Sequence, residues 1–334
     1  MSNKNHSHVG SIVSVIVSGL ILLFTGWIIL NHQYVFDQWM VQNYRPSSEI
    51  ATIVDRSGMS DKGRFYFYAS QPAVETAADF NANCQRQEAK SAILGCYAGE
   101  RIYIYNVPNS QLDGIEEVTA SHETLHAIWQ RMSDSDKQSV GALLEAEYVK
   151  LNDPALKERM AYYDRQEPGE HLNELHSIIG TEIATISPAL EAHYATYFSS
   201  RAKVVALYNG YETIFNTQAA QADALLSDLT TLKTELQASS TAYNTESASI
   251  EADYNALQGR VSTVDRTSVA EVNAYNASVA ALRVRLSNLS TERAGIIAKQ
   301  ETYNAKVTQY NALIVSTNEL TKSLDSTLSP TPSL

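Results

Sequence analysis

The chain has 334 residues, 44% of them hydrophobic and 19% charged, with 14 Gly and 8 Pro, which excludes both a disordered polymer and a fibrous glycine repeat. A formal net charge of -12 disfavours a general nucleic-acid binder, and no nucleic-acid partner is expected. The acidity is local: residues 31–200 carry 13 Lys+Arg against 24 Asp+Glu, residues 201–334 carry 11 against 13, and residues 1–30 carry only Lys4.

Residues 12–30 are uncharged and mostly apolar. At about 1.5 Å per residue they reach across the roughly 30 Å hydrocarbon core of a bilayer as a helix. The run is longer than the apolar region of a signal peptide, and Asn31-His32-Gln33-Tyr34 is a poor cleavage site, so an uncleaved anchor is expected. Trp27, Tyr34 and Trp39 suit an interfacial aromatic belt. Lys4 on one flank, against Asp37 and no basic residue before Arg45 on the other, predicts residues 1–11 in the cytoplasm and residues 31–334 outside. A cell-membrane protein with a single span follows. Cys84 and Cys96, the two cysteines, fit that oxidising location as a bridge, worth about 3 kcal/mol in the chain-entropy model. The alternative is two unrelated buried thiols.

In residues 31–187 the aromatic run 63–68 reads as a strand, as do 92–97 and 101–106, the last two joined as a hairpin through Ala98-Gly99-Glu100. A helix is expected at about 72–90. Asp113-Gly114-Ile115-Glu116 resembles a capping box, and Ile115, Val118, Leu125, Trp129 and Met132 then recur with a helical period. Further helices are expected at 136–151, 154–163 and 171–184.

The first of these helices carries His122-Glu123-Thr124-Leu125-His126, the HExxH pattern. Histidines four apart share one helix face, so two imidazoles can hold one Zn2+, and the Glu beside the first is placed to take a proton from the attacking water. His122 falls in line with the apolar positions, so it points into the fold. The bland alternative is a pair of core or surface histidines.

Downstream, Asn173-Glu174-Leu175-His176-Ser177-Ile178-Ile179-Gly180 resembles the Asn-Glu-x-x-Ser-Asp-x-x-Gly segment of gluzincin-type zinc metallopeptidases such as the thermolysin group. The resemblance covers residues 122–182. It implies a zincin-like domain, zinc on His122, His126 and Glu174, and Glu123 as general base. It departs from the family in having Ile178 where Asp stands, which removes an orienting partner for one ligand histidine, and in a longer gap between His126 and Glu174. His176 is the next choice for third ligand, with His171 and Glu182 behind it. Tyr162, Tyr163, His176, His193 and Tyr194 are available to steady an oxyanion. In zincins an edge strand pairs with extended substrate, a role the resemblance gives to 101–106.

Ser187-Pro188 starts a helix. From there to 329 the chain lacks proline. An apolar seam runs through 208, 215, 222, 229, 236, 243, 250 and 257, and a second from Val272 to Thr317 through Leu282, Leu286 and Leu289. Sustained 3-4 spacing predicts an antiparallel coiled-coil hairpin over 188–325, with the pattern broken at 259–266. Residues 326–334 are expected to be disordered. Tyr-Asn at 208, 243, 254, 275, 303 and 310 reads as core filling rather than a binding stripe.

The sequence thus predicts an α+β, mainly helical protein: a cytoplasmic tail (1–11), a transmembrane anchor (12–30), a zincin-like domain with a short antiparallel sheet (31–187), a coiled-coil hairpin (188–325) and a tail. The expected function is zinc-dependent hydrolysis of peptide bonds in a peptide or protein substrate, outside the cytoplasm, with a coiled-coil partner or a homodimer as further partners. The alternative is a coiled-coil scaffold or adaptor whose zincin-like domain is inactive or structural. An export-pump adaptor, which also joins an anchor to a helical hairpin, is disfavoured because nothing β-like follows residue 320.

Overall fold

The computed structural model describes residues 5–84 and 93–327. The chain divides into two compact units, residues 1–214 with 320–334, and residues 215–319.

Helix α1 (Asn5–Leu30) includes the apolar stretch Ile12–Leu30, none of it buried, and is the one helix among the described residues long and apolar enough to cross a membrane. After Asn31, α2 (His32–Asn43) turns Asp37 inward. Helix α3 (Ser48–Ser57) is capped by the Ser47 hydroxyl and closed by Gly58, whose φ of 68° is the left-handed conformation that glycine takes without strain.

The aromatic run expected as a strand is instead helix α4 (Asp61–Ala69). Ser60 caps it by accepting from the Gly63 N–H, and a Cβ at Gly63 would lie 2.1 Å from the Tyr197 carbonyl oxygen, so the helix docks closely there. Phe67 is fully buried. The β-propensity of aromatic residues reflects packing on a sheet, and here the packing partner is helical.

Strand β1 (Ala73–Glu75) and the short helix α5 (Ala77–Asn83) occupy the start of the segment expected as one helix; the residues of that expectation from 85 to 90 lie outside the described residues. Strands β2 (Gly95–Ala98) and β3 (Arg101–Tyr105) form the expected hairpin, with Gly99 and Glu100 both at positive φ in its two-residue turn. The sheet order is β1-β3-β2, with β1 parallel to β3, so the sheet is mixed rather than antiparallel. Its central strand is β3, and β1 and β2 are its two edge strands among the described residues.

Helix α6 (Ile115–Arg131) starts after Gly114 with no side-chain cap. The expected capping residues work elsewhere: Asp113 pairs with Arg56, and Glu116 accepts from the Val107 N–H. Helices α7 (Asp134–Leu151), α8 (Pro154–Gln166) and α9 (His171–Thr181) follow, α7 capped by Ser133 and α8 by Asp153. Leu125 and Ile128 of α6 and Leu175, Ile178 and Ile179 of α9 are buried together, each worth about 1.5–3 kcal/mol of transfer free energy. Gly180 permits this approach: a Cβ there would lie 2.4 Å from Leu125 Cδ1 and 2.7 Å from Tyr194 Cε1.

Pro188 opens a separate short helix, α10 (Pro188–Tyr194), whose Leu190 and Tyr194 are fully buried. The long helices are α11 (Arg201–Arg260) and α12 (Val269–Leu324). Val204 and Val205 of α11 belong to the core of the first unit, so the hairpin expected to open at 188 leaves that unit only at 215. Ser326, expected in the disordered tail, is buried and exchanges two hydrogen bonds with Asn81; residues 328–334 lie outside the described residues.

In the second unit the helices run antiparallel. Asp228 pairs with Lys306 at 2.6 Å, Glu235 with Lys299 at 3.0 Å, and Arg285 with Glu246 and Asp253. Ile250, Leu282 and Leu289 form the buried seam with Tyr243 and Leu257 against it. Leu286, expected in that seam, is 47% exposed; Arg285 takes the facing position, drawn in by its two carboxylates.

Candidate metal centre

Helix α6 carries His122, Glu123 and His126, and α9 carries Glu174; the packing of α6 on α9 brings them together. Ligand atoms of His122, Glu123 and His126 lie within 4.8 Å of one another, close enough to hold one metal ion. Glu174 faces both imidazoles, with Oε1 3.4 Å from His126 Nε2 and Oε2 3.7 Å from His122 Nε2. Two ligands about 2.0–2.1 Å from a tetrahedral ion are themselves about 3.3 Å apart. At 3.7 Å the His122 contact is too long for a hydrogen bond, and Glu174 Oε2 is buried with no partner. A buried, unpartnered carboxylate oxygen costs free energy that a cation would offset. The donor set of two imidazoles and a carboxylate therefore fits a metal ion.

Burial works against the charge on Glu174, but the neighbouring imidazoles and Arg159 outweigh it and hold the carboxyl below its ordinary pKa. Burial likewise disfavours protonation of His122, and the adjacent Glu174 outweighs it, raising the pKa. Glu123 is raised, by burial first, with the two histidines opposing.

The orienting partner removed by Ile178 is supplied by Asn173 and Ser177. His126 Nδ1 lies 2.9 Å from Asn173 Oδ1 and 3.2 Å from Ser177 Oγ. Asn173 Nδ2 donates to Glu170 at 2.8 Å, so its oxygen is the atom that faces the imidazole. This assigns the proton of His126 to Nδ1 and leaves the Nε2 lone pair toward Glu174. Both residues stood in the segment quoted above, and the helical spacing of 173, 174 and 177 was the signal that could have found them.

His176 does not reach the centre. Two positions beyond Glu174 on the helix, it points roughly 200° around the axis. It is fully buried between Trp129 and Tyr194, with its Nε2 2.9 Å from His193 Nε2. His171 is also turned away, to Asp164 and Glu145. Of the residues considered for an oxyanion, Tyr162 and Tyr163 line the cleft over the centre, whereas His176, His193 and Tyr194 do not.

That cleft is about 850 Å³ and is bounded by residues 93–98, α6, α8, α9 and the first turns of α11. Its edge strand is β2, not the 101–106 strand. In the β2–β3 ladder Leu94 accepts from the Tyr105 N–H, so the alternation of an antiparallel pair turns the backbone groups of Gly95 and Tyr97 outward. Cys96 of this strand is bridged to Cys84, with Cα atoms 6.0 Å apart. Gly95 is required for the strand's approach to α6: a Cβ would sit 2.5 Å from Thr119 Cγ2 and 2.9 Å from Glu123 Cγ. Glu182 also lines the cleft, tied to Arg159 by two contacts of 2.6 and 2.7 Å. Tyr163 has its hydroxyl pKa pushed up to about 12, by burial and then by Glu174, so it remains a hydrogen-bond donor.

No protein-family model matches the chain, and no curated protein or solved structure matches it either.

Proposed function

We propose that this chain is a membrane-anchored zinc metallopeptidase that hydrolyses peptide bonds outside the cytoplasm. The observation that carries the reading is the convergence of His122, His126 and Glu174, whose Oε2 is unpartnered, beside Glu123 in a cleft lined by the edge strand β2. His122, His126 and Glu174 would hold zinc, which supplies a Lewis acid that polarises a carbonyl and acidifies water. Asn173 and Ser177 fix the His126 ring so that its Nε2 remains a ligand. An extended peptide pairs with the outward backbone groups of Gly95 and Tyr97, which recognises main chain rather than sequence. Glu123 accepts the proton of the attacking water and passes it to the leaving amine, and its raised pKa makes it the stronger base. Tyr163, which lines the cleft, would donate to the developing oxyanion. The apolar helix at Ile12–Leu30 and the Cys84–Cys96 bridge support an anchored, extracytoplasmic location.

The test is peptidase activity of the full chain in detergent, beside Glu123→Gln. The reading expects wild-type cleavage that a chelator abolishes, and a loss of at least about a hundredfold in Glu123→Gln with metal retained. Equal activity in the variant would overturn it.

A further inference from the structure

The cleft carries a second layer of chemistry around the metal ligands. Tyr162 and Tyr163 of α8 line it with ring centroids 5.7 Å apart, and Tyr208 and Tyr211 of α11 line it at 5.5 Å. Glu167 and Glu212 line the same cleft. Among the described residues no hydrogen bond or ion pair holds either carboxylate. Among the described cleft-lining residues Arg159 is the only Lys or Arg, and Glu182 already engages it bidentately. Glu123, buried and also without a hydrogen-bond partner among the described residues, faces the same space.

Burial raises the pKa of Glu212, and the nearby Glu182 adds to it; burial also raises Glu167, with Glu174 adding. Arg159 opposes the shift at Glu212 and His126 opposes it at Glu167, but among the described residues neither carboxylate forms an ion pair. The electron-rich face of a tyrosine attracts a cation, and a carboxylate beside it supplies a charge-assisted hydrogen bond. Together they recognise an ammonium or guanidinium group and repel an acidic one.

We infer that the cleft selects peptides carrying a lysine or arginine side chain near the scissile bond, bound between the tyrosines of α8 and α11 and the carboxylates of Glu167 and Glu212. This rests on the peptidase reading for its catalytic consequence but not for its binding consequence. The residues that make the selection come from α8, from the residue that follows it, and from the first turns of α11, while the metal ligands lie on α6 and α9.

The experiment uses the full chain and three otherwise identical peptides with Lys, Gln or Glu at one central position. Cleavage is measured with the wild type, and binding by fluorescence anisotropy with Glu123→Gln. The expected order is Lys, Gln, Glu in both measurements, with about tenfold between Lys and Gln, the factor that corresponds to 1.4 kcal/mol. Glu212→Gln and Glu167→Gln, each checked for folding by circular dichroism, are expected to lower the Lys-to-Gln ratio severalfold. Equal binding of the Lys and Glu peptides, or a ratio unmoved in both variants, overturns the inference. Cleavage without selectivity leaves the peptidase reading standing and removes this one. Selective binding with no cleavage of any peptide does the reverse.

Discussion

Replacing Gly95 by alanine is expected to injure catalysis more than metal binding. The added Cβ would meet Thr119 Cγ2 at 2.5 Å, Glu123 Cγ at 2.9 Å and Glu123 Oε1 at 3.0 Å, all closer than ordinary contact. Thr119 cannot easily yield, because it is buried and its hydroxyl donates to the Ile115 carbonyl at 2.8 Å. The strain therefore falls on β2 and on Glu123. Overpacking of this kind costs about 1–3 kcal/mol of stability. A shift of the Glu123 carboxylate by about 1 Å costs on the order of a hundredfold in kcat/KM. The three nearest atoms belong to Thr119 and Glu123, none of them to His122, His126 or Glu174, so metal binding should be retained. The assays are thermal unfolding, metal content and peptide hydrolysis on the same preparation. Wild-type kcat/KM within a factor of about two and an unchanged Tm would refute the claim that this glycine sets the strand against the base.

Two further outcomes are expected. Asn173→Ala removes the acceptor on His126 Nδ1 and should weaken metal affinity by about ten- to a hundredfold, read by competition with a chromophoric chelator; unchanged affinity would assign the orienting role elsewhere. His193 has its pKa lowered from 6.5 to about 4, by burial and then by Lys62, so the folded state resists a proton that the unfolded state accepts. Its contribution is complete above pH 6.5 and is lost as pH falls toward 4, so His193→Gln should flatten the acid limb of the stability profile in that window; parallel urea-unfolding profiles for the two proteins would contradict this.

Local patterns with strong periodicity were legible from the chain alone. The apolar line through Ile115, Val118, Leu125 and Trp129 marks the helix of the metal motif and its inward face, and all four are buried. The β2–β3 hairpin, the cysteine bridge and the two long helices were equally plain, from a glycine turn, a single pair of thiols and the absence of proline. What failed depends on tertiary context. Residues 63–68 have strand-forming aromatics, yet they lie in a helix capped by Ser60 and docked closely on Tyr197 at Gly63. β1 is too short to show alternation, and its parallel partner is far along the chain. His176 lies within the motif segment, but only the helix phase reveals that it faces Trp129 rather than Glu174. Leu286 satisfies the heptad on paper, while the pairing of Arg285 with Glu246 and Asp253 decides which residue turns inward. The contribution of Tyr208, Tyr211 and Glu212 to the cleft was hidden because the start of α11 read as coiled coil.

X-ray absorption at the zinc edge of the purified full chain, beside Glu174→Gln, tests the central claim most directly. The account predicts one zinc per chain, a first shell of nitrogen and oxygen at about 2.0–2.1 Å with two imidazoles, no sulfur, and a changed shell or lost metal in the variant. A shell that contains sulfur, or one identical in wild type and Glu174→Gln, would contradict it.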